Sequence, residues 1–576
     1  MLRSRRWFGG DGEVGLLHRA AVRPLGIEIG ADDDRPVIGI ANSSGEVNPC
    51  NAGLDELAAA VKRGVRAAGG IPLEFPTITL GEDLMKPAAM LYRNLMAMDI
   101  EECLRAYPFD GVVLLANCDK TVPAQLMGAA SADLPAIMLT GGHRASGLFR
   151  GRRLATGTDL WRLSEDRRAG RLSDADWAEL EACLGCSLGA CNSMGTASTM
   201  AAMAEALGMM LPGVGSLPIG DPRLLEAAEA TGRRAVGLVR EDLRPSRILT
   251  AAAFDDAIAV LAAIGGSTNA VIHLCAIAGR RAIPLPLARF DEIGRRVPMI
   301  ADVEPSGTEL MDAFHDAGGV PTVLREIARI PGLIAGTSMT VTGESLSATR
   351  DRAAPTQGRT IRHLEEPVSP VGGIAVLRGN LAPDGAVLRL STASPDLLRH
   401  RGPAVVFHGY EDMLARIDDP SLPVTRDSVL VLSGCGPIGV PGMPEWGMIP
   451  IPAKLARDGV RDMVRISDSR MSGTAFGTVV LHAAPEAAAG GIIGLVRDGD
   501  AIELDVAARS VILDVPDAEI ARRRATTGPS PDRHLRGWPR LYRDHVLQAP
   551  QGCDLDFLVP RTAEELDPVQ PIVGRS

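Results

Sequence analysis

Three cysteines of this sequence share a local context that could hold a metal centre. Cys50 lies in NPCNAGL, Cys118 in ANCDKTVPAQ and Cys191 in GACNSMGTASTM, and a helical pattern follows each of them. Backbone N–H groups and the positive end of a helix dipole stabilise a thiolate at such a position, and thiolate is the form that binds metal. A common metal centre is therefore one hypothesis, and three separate buried thiols are the other.

A second cysteine pattern, C-x2-C-x4-C, is formed by Cys183, Cys186 and Cys191. Such spacing is typical of zinc and iron–sulfur sites, but a closed structural site needs a fourth ligand. Cys183 also lies in a helical pattern, where packing is its natural role. We therefore favour the dispersed set. The cysteines without an asparagine neighbour are predicted to be core or loop thiols: Cys103, Cys275, Cys435 and Cys553.

Candidate ligands for a harder metal stand close to these cysteines in the sequence. Asp119 and Lys120 directly follow Cys118, so one short loop offers a soft ligand, a hard ligand and an amine. Carboxylate oxygen suits Mg²⁺ or Mn²⁺, whereas thiolate suits iron, so two adjacent metal centres are conceivable. The alternative is that Asp119 caps a helix and Lys120 faces water. Other candidate oxygen ligands lie in loops rich in glycine and proline: Glu82, Asp83 and Glu445.

A loop rich in hydroxyl groups follows a strand-like segment near the C-terminus. RISDSRMSGTAFGT, residues 465–478, contains Ser467, Ser469, Ser472 and Thr474. These hydroxyls could simply form turn hydrogen bonds. A reactive serine needs a nearby base or metal to activate it, and this segment contains no histidine. A reactive serine here would therefore depend on metal or electrostatic activation.

The elements that must position these residues alternate between strand and helix in the first two thirds of the chain, which is the pattern of an α/β fold. Continuous apolar runs predict buried parallel strands over 36–41, 111–116 and 136–139. Helical patterns cover 54–70, 121–130, 196–207 and 252–264. Cys50 and Cys118 follow predicted strands, which places them at the carboxyl edge of the sheet, where open α/β folds bind ligands.

The pattern changes after a polar segment, residues 345–370, that reads as a linker. Short, valine-rich, turn-bounded runs then predict a mainly β, barrel-like domain. We therefore expect an α/β domain over 1–370, with a largely parallel sheet, and a β domain over 371–576 that carries Glu445 and Ser472. A site in the cleft between them is expected.

Composition excludes several classes of protein. The 576 residues are 46% hydrophobic and carry a formal net charge of -11, which is typical of a globular protein and argues against general nucleic-acid binding. The first residues lack the order of regions of a signal peptide, and no run approaches a membrane span, so we expect a cytoplasmic protein that binds no membrane. Nine cysteines in such a chain indicate thiols or metal ligands rather than disulfides.

Taken together, the motifs resemble one family. NPCNAGL, ANCDKTVPAQLM, GACNSMGTASTMA, AAIGGSTNAVIHL, GGIAVLRGNLAPDGAV and SDSRMSGTAFG, in this order, are similar to the IlvD/Edd dehydratases, and the resemblance runs from about Leu2 to Leu558. LGEDLMKPAAMLYRNLMAMDIEE and HVLQAPQGCDLDFL look most like its sugar-acid branch, typified by L-arabinonate and D-xylonate dehydratases. LLHRAAVRPLG and MMLPGVGSLPIGDPR depart from that branch, which bears on the choice of substrate.

The resemblance implies two cofactors. An iron–sulfur cluster, 2Fe-2S rather than 4Fe-4S, would be held by Cys50, Cys118 and Cys191, leaving one iron open. Mg²⁺ (or Mn²⁺) would be held by the family's four hard ligands, of which the lysine is carbamylated: Glu82, Asp119, Lys120 and Glu445. Asp83 is a less favoured substitute for Glu82.

The resemblance also implies a reaction and an assembly. Ser472 matches the catalytic base, and Thr474 would assist proton transfer or bind substrate. The enzyme would be a hydro-lyase that converts a small 2,3-dihydroxy carboxylate, an aldonate, into its 2-keto-3-deoxy acid. A homodimer or homotetramer is implied. The rivals are a dihydroxy-acid dehydratase of branched-chain amino-acid synthesis, a 6-phosphogluconate dehydratase and, from another class, a non-catalytic iron–sulfur sensor.

Overall fold

The computed structural model describes residues 2–526, 536–567 and 570–574. Its N-terminal part is built on a four-stranded sheet in the order β2-β1-β3-β4, and every neighbouring pair is parallel. The strands are β1 (Val37–Asn42), β2 (Ile71–Pro76), β3 (Gly111–Ala116) and β4 (Ala136–Thr140). β1, β3 and β4 are buried along their whole length, as expected for a parallel sheet covered on both faces.

Helices and a two-stranded hairpin make up the rest of the N-terminal part. The helices are α1 (Arg5–Phe8), α2 (Glu13–Val22), α3 (Leu54–Ala67), α4 (Met90–Ala106), α5 (Thr121–Ala132), α6 (Thr158–Arg168), α7 (Asp174–Leu184), α8 (Thr196–Ala206), α9 (Pro222–Glu241), α10 (Pro245–Ile248), α11 (Ala251–Ala263), α12 (Asn269–Gly279), α13 (Leu287–Gly294), α14 (Met311–Asp316), α15 (Gly319–Ile327) and α16 (Leu346–Asp351). The hairpin pairs β5 (Leu148–Phe149) with β6 (Arg152–Arg153). In the described ranges, no helix has the length and apolar character needed to cross a membrane.

The C-terminal part is an eight-stranded mixed sheet in the order β14-β13-β9-β10-β11-β12-β8-β7. Its strands are β7 (Ile374–Leu377), β8 (Gly385–Arg389), β9 (Arg399–His408), β10 (Val429–Ser433), β11 (Arg465–Ser467), β12 (Val479–Ala484), β13 (Ala501–Asp505) and β14 (Ser510–Asp514), and its helices are α17 (Tyr410–Arg416), α18 (Ala453–Arg457), α19 (Asp517–Thr526) and α20 (Trp538–His545). Arg378 joins the two edges, because its backbone N–H donates to the carbonyl of Arg509 and its carbonyl accepts from the N–H of Val511, so the sheet is barrel-like.

The predicted fold class is therefore confirmed, and the predicted strands and helices end within about three residues of the observed ones. The pattern did not reveal β2, because this edge strand has exposed positions that interrupt its apolar run. The segment predicted as a linker contains α16 and pairs with residues 299–301 through two bridges. The division of the chain at residue 370 stays a prediction.

Asparagine side chains tie together the loops at the carboxyl edge of the parallel sheet. Asn117, directly after β3, donates from Nδ2 to the carbonyl of Cys50 and to that of Gly142, both at 2.8 Å. Asn51 accepts from the backbone N–H of Cys118 at 2.9 Å and donates to the carbonyl of Ser43. The loops that follow β1, β3 and β4 are therefore fixed relative to one another.

A buried carboxyl group supports the helix that follows Cys191. Glu205, near the end of α8, accepts hydrogen bonds from the backbone N–H groups of Gly213 and Gly215. Burial raises the pKa of Glu205 to about 7, although these two hydrogen bonds oppose the rise. The native protein therefore holds this proton at a pH where the unfolded chain has released it.

This raised pKa predicts a pH-dependent stability. The stabilising contribution of Glu205 is complete below about pH 4.5 and is lost as the pH rises through about 7, a change on the order of 3 kcal/mol. The melting temperature of wild type relative to Glu205→Gln should therefore fall between pH 5 and pH 8. A difference that is constant over this range would contradict the prediction.

Candidate metal and catalytic site

The three sequence-predicted cysteines come together at the carboxyl edge of the parallel sheet. Cys50 precedes α3, Cys118 precedes α5 and Cys191 precedes α8, as the sequence predicts. The side chains of Cys50 and Cys118 are hydrogen-bonded, and this contact, together with burial, raises the pKa of Cys118. Burial raises the pKa of Cys191 to about 12, and the nearby Cys50 adds to the rise. Such thiols stay protonated until a metal displaces the proton.

Arg144, which the sequence analysis did not single out, supplies a cation beside these thiols. It is buried, and its guanidinium lies 3.9 Å from the Sγ atom of Cys50 while it donates to the carbonyl of Gly189. Its charge lowers the pKa of Cys191, against the larger effect of burial. A cation here stabilises thiolates and the net negative charge of a thiolate-bound cluster.

A group of three carboxylates lies next to the thiols. Glu82, Asp119 and Glu445 each place one oxygen within 4.8 Å of the others, a spacing that could hold a metal ion. The Sγ atom of Cys118 lies 3.4 Å from Asp119 Oδ1, so soft and hard ligands adjoin. Asp83, the less favoured alternative to Glu82, is exposed and lies outside this group in the described part of the chain.

Two buried cations hold the carboxylate group together. The Nζ atom of Lys120 lies 3.1 Å from Glu82 and 3.3 Å from Glu445, and it also pairs with Asp119. Arg470, which the sequence analysis missed, pairs with Glu82 at 3.2 Å and with Glu445 at 2.7 Å. Both cations are fully buried. Lys120 therefore does not face water, contrary to the alternative that it is a surface residue.

Burial and neighbouring charges shift the pKa values of this group in different directions. Burial raises the pKa of Glu82, but Lys120 and Arg470 outweigh burial and lower that pKa to about 2. In Glu445 burial prevails, and the pKa is raised. Burial lowers the pKa of Lys120, but the three carboxylates raise it overall. Glu82 is therefore ionised near neutral pH.

Asn269, a second residue that sequence reasoning missed, joins the carboxylates to the hydroxyl-rich loop. Its Nδ2 atom donates to Glu445 Oε1 at 3.2 Å, to Thr196 Oγ1 at 3.0 Å and to the carbonyl of Met471 at 3.0 Å. Arg470 and Asn269 lie inside the motifs SDSRMSGTAFG and GGSTNAVIHL. The signal that could have found them was a long polar side chain within a motif made mostly of small or apolar residues.

Ser472 and Thr474 lie together in the loop after β11. Their hydroxyl oxygens are 2.9 Å apart, and the backbone N–H of Thr474 points to Ser472 Oγ at 3.4 Å. Ser472 is partly exposed, whereas Thr474 is buried. Neither hydroxyl has a histidine partner among the described residues, so metal or electrostatic activation of Ser472 stays the prediction.

Gly473 lets this loop approach the N-terminal part closely. A Cβ atom at this position would lie 2.5 Å from the backbone nitrogen of Thr196 and 2.7 Å from Ser267 Oγ. We expect Gly473→Ala to displace the loop and to lower kcat by roughly 100-fold, since a shift of about 1 Å has that effect. Gly12→Ala, where a Cβ meets nothing within 4 Å, is the matched control for kinetics and melting temperature. Unchanged kinetics in Gly473→Ala would contradict the prediction.

The other cysteines have different surroundings. Cys183 and Cys186, members of the rejected local triplet, donate to the backbone carbonyls of Leu148 and Ala145. The predicted core or loop thiols are buried or half-buried: Cys103, Cys275, Cys435 and Cys553.

The chain is similar to known proteins along nearly its whole length. A family model described as dihydroxy-acid/6-phosphogluconate dehydratase, N-terminal, matches residues 35–349, and its C-terminal counterpart matches residues 359–553. An L-arabinonate dehydratase of Rhizobium leguminosarum bv. trifolii (strain WSM2304) is 50% identical, over 97% of this chain and 96% of its own. A 6-deoxy-6-sulfo-D-gluconate dehydratase of Pseudomonas putida is 46% identical, over 99% and 98%.

A more distant relative is named for a different substrate class. A dihydroxy-acid dehydratase of Moorella thermoacetica (strain ATCC 39073 / JCM 9320) is 40% identical, over 94% of this chain and 98% of its own. Both domain models and nearly the whole length of each relative are therefore matched. The chain belongs to the dihydroxy-acid/6-phosphogluconate (IlvD/Edd) dehydratase family.

Proposed function

We propose that this protein is a hydro-lyase that removes water from a sugar acid and yields the 2-keto-3-deoxy acid. The observation that carries the proposal is the contact between Cys118 and Asp119, which joins a group of thiols to a group of carboxylates. Soft and hard ligands side by side could hold two metals, of which one would orient the acid and the other would assist the departing hydroxyl.

The thiol group fits an iron–sulfur cluster by the chemistry of its donors. Cys50, Cys118 and Cys191 are three soft ligands with Arg144 beside them to offset negative charge. Three protein ligands would leave one coordination position on iron open, as in a catalytic rather than a structural metal centre. A 2Fe-2S cluster is the form that the family resemblance favours.

The carboxylate group fits Mg²⁺ when its charges are counted. Glu82, Asp119 and Glu445 carry three negative charges, and Lys120 and Arg470 carry two positive ones. Adding a divalent cation would give an excess of positive charge in a buried site, which is unfavourable. Conversion of Lys120 into an anionic carbamate removes that excess and adds an oxygen ligand, so we propose that this lysine is carbamylated when Mg²⁺ binds.

When bound, the two centres supply Lewis acidity that favours loss of the C2 proton and of the C3 hydroxyl. Ser472, as an alkoxide, accepts the C2 proton and becomes a neutral hydroxyl, and the departing hydroxide takes up that proton to leave as water. Thr474 Oγ1, 2.9 Å from the Ser472 oxygen, donates a hydrogen bond to it. Asn269 and Arg470 hold Glu445 in place from the side of this loop. The enol that remains after water leaves tautomerises to the keto acid.

The names of the relatives support a sugar acid as the substrate class. The 50% and 46% identical relatives are dehydratases of L-arabinonate and of 6-deoxy-6-sulfo-D-gluconate, while the dihydroxy-acid dehydratase is 40% identical. We therefore propose an aldonate such as L-arabinonate or D-xylonate, acted on by a homo-oligomer.

The test is 2-keto acid formation by anaerobically purified protein with Mg²⁺. C5 and C6 aldonates and 2,3-dihydroxyisovalerate are supplied separately, and kcat/KM is compared. A preference for an aldonate would support the proposal and identify the substrate. A preference for dihydroxyisovalerate would move the protein to branched-chain amino-acid synthesis, and no turnover with an intact cluster absorbance would favour the sensor.

A further inference from the structure

Trp161, in the first turn of α6, contacts the hydroxyl-rich loop of the C-terminal part. Its indole Nε1–H donates to Thr474 Oγ1 at 3.0 Å. Thr158, three residues earlier, donates from Oγ1 to the carbonyl of Thr474, also at 3.0 Å. The first turn of α6 therefore binds both the side chain and the backbone of Thr474.

The side chain of Thr474 has little freedom to rotate. A Cβ atom at Gly157 would lie 2.5 Å from Thr474 Oγ1, and one at Gly195 would lie 2.8 Å from its Cγ2. Both glycines thus leave just enough room for this threonine. Close packing on two sides and the hydrogen bond from Trp161 fix the position of the hydroxyl oxygen.

These contacts decide the direction of the hydrogen bond between Thr474 and Ser472. An indole N–H only donates, so Thr474 Oγ1 accepts from Trp161 and keeps its own proton for another partner. Thr474 is only 4% exposed, and buried hydroxyl protons are nearly always given to an acceptor. Within the described ranges, Ser472 Oγ, at 2.9 Å, is the acceptor that this proton reaches.

Ser472 Oγ therefore accepts a hydrogen bond from the hydroxyl of Thr474. It accepts a second one, at 3.4 Å, from the backbone N–H of Thr474. A negative charge on this oxygen is stabilised by fixed donors aimed at it. The hydrogen bond from Trp161 polarises the Thr474 hydroxyl and so strengthens it as a donor. Trp161 thus acts on Ser472 through Thr474, without touching it.

We propose that Trp161 is a positioning residue for the proton-accepting serine: it orients the Thr474 hydroxyl as a donor to Ser472 and strengthens that donor. The inference rests on the proposed function, in which Ser472 accepts the C2 proton. It also means that the N-terminal α6 must be docked on the C-terminal loop for the serine to react efficiently.

The test is Trp161→Phe, which keeps an aromatic ring and removes the N–H. We expect kcat on an aldonate to fall about 5- to 10-fold, as for the loss of one hydrogen bond, with KM changed less than about twofold. Thr474→Val removes the direct donor and should lower kcat by roughly 100-fold. In the Thr474→Val background, Trp161→Phe should have almost no further effect, because its route to Ser472 is already gone.

Trp538→Phe is the matched control, since it also removes one indole hydrogen bond, to the carbonyl of Leu91 at 2.9 Å. It should leave kcat unchanged. The deuterium isotope effect on kcat for a C2-deuterated aldonate is measured in parallel and should rise in Trp161→Phe, because proton removal becomes slower. As a ratio, this effect does not depend on the fraction of enzyme that is folded.

The outcomes separate this inference from the proposed function. If wild type forms no 2-keto acid, both fail. If wild type is active and Ser472→Ala is inactive, but Trp161→Phe has wild-type kcat and isotope effect, only the inference fails. Equal losses from Trp161→Phe in the wild-type and Thr474→Val backgrounds, or a loss confined to KM, would also overturn it.

Discussion

Replacing Ser472 by Ala is expected to lower kcat by roughly 1,000-fold or more, because under the proposed function Ser472 accepts the C2 proton, while the side chains proposed to hold the metals are unchanged. Ser472 Oγ is the oxygen to which the Thr474 hydroxyl and N–H point. An alanine at this position removes one oxygen and leaves those donors unsatisfied. The effect on stability should be small, since Ser472 is partly exposed.

Three measurements on Ser472→Ala separate catalysis from structure. The rate of 2-keto acid formation should be lost, while the visible absorbance of the iron–sulfur cluster and the melting temperature stay close to those of wild type. Ser421→Ala, at an exposed serine in a turn, is the matched control and should be fully active. Turnover within tenfold of wild type would show that another group accepts the proton.

Replacing Lys120 by Arg should cost at least about 100-fold in Mg²⁺-dependent turnover. Arginine keeps the positive charge that pairs with Glu82 and Glu445, but it does not form a carbamate. If Lys120 acted only as a cation, the substitution would preserve its role. If its carbamate is an oxygen ligand, the variant loses that ligand and binds Mg²⁺ more weakly.

The carbamate itself is detected by ¹³C NMR after addition of ¹³C-bicarbonate. We expect a carbamate signal in wild type that grows with Mg²⁺ and is missing from Lys120→Arg, since the cation offsets the added negative charge. Lys62→Arg, at a partly exposed pair with Glu74, is the matched control and should keep the signal and the activity. Full activity of Lys120→Arg without a carbamate signal would leave Lys120 as a simple counter-ion.

Much of the fold was predictable because burial along a strand leaves a continuous apolar run. β1, β3 and β4 are buried throughout and were predicted almost to the residue. β2, at the edge of the same sheet, was missed, since side chains facing solvent break the run that marks the other strands. The order of the strands, β2-β1-β3-β4, depends on crossovers that no local pattern records.

The candidate site was predictable only in part, for a related reason. Cys50, Cys118, Cys191 and Ser472 stand in short motifs whose residue types carry chemistry by themselves. Three other residues gain a role only from the contacts they make with distant segments, through their charge or their hydrogen bonds: Arg144, Asn269 and Arg470. A single arginine in a sequence gives no sign that it is buried between two carboxylates.

The sequence by itself determined the chemistry available to this protein: thiols before helices, carboxylates in tight loops and a hydroxyl-rich turn, within an α/β part followed by a β part. Only the tertiary structure decided which of these groups meet. Glu82 and Glu445 are far apart along the chain, yet both contact Lys120 and Arg470. Residue type sets what a group can do, whereas packing of distant segments sets the distances and burial on which its reactivity depends.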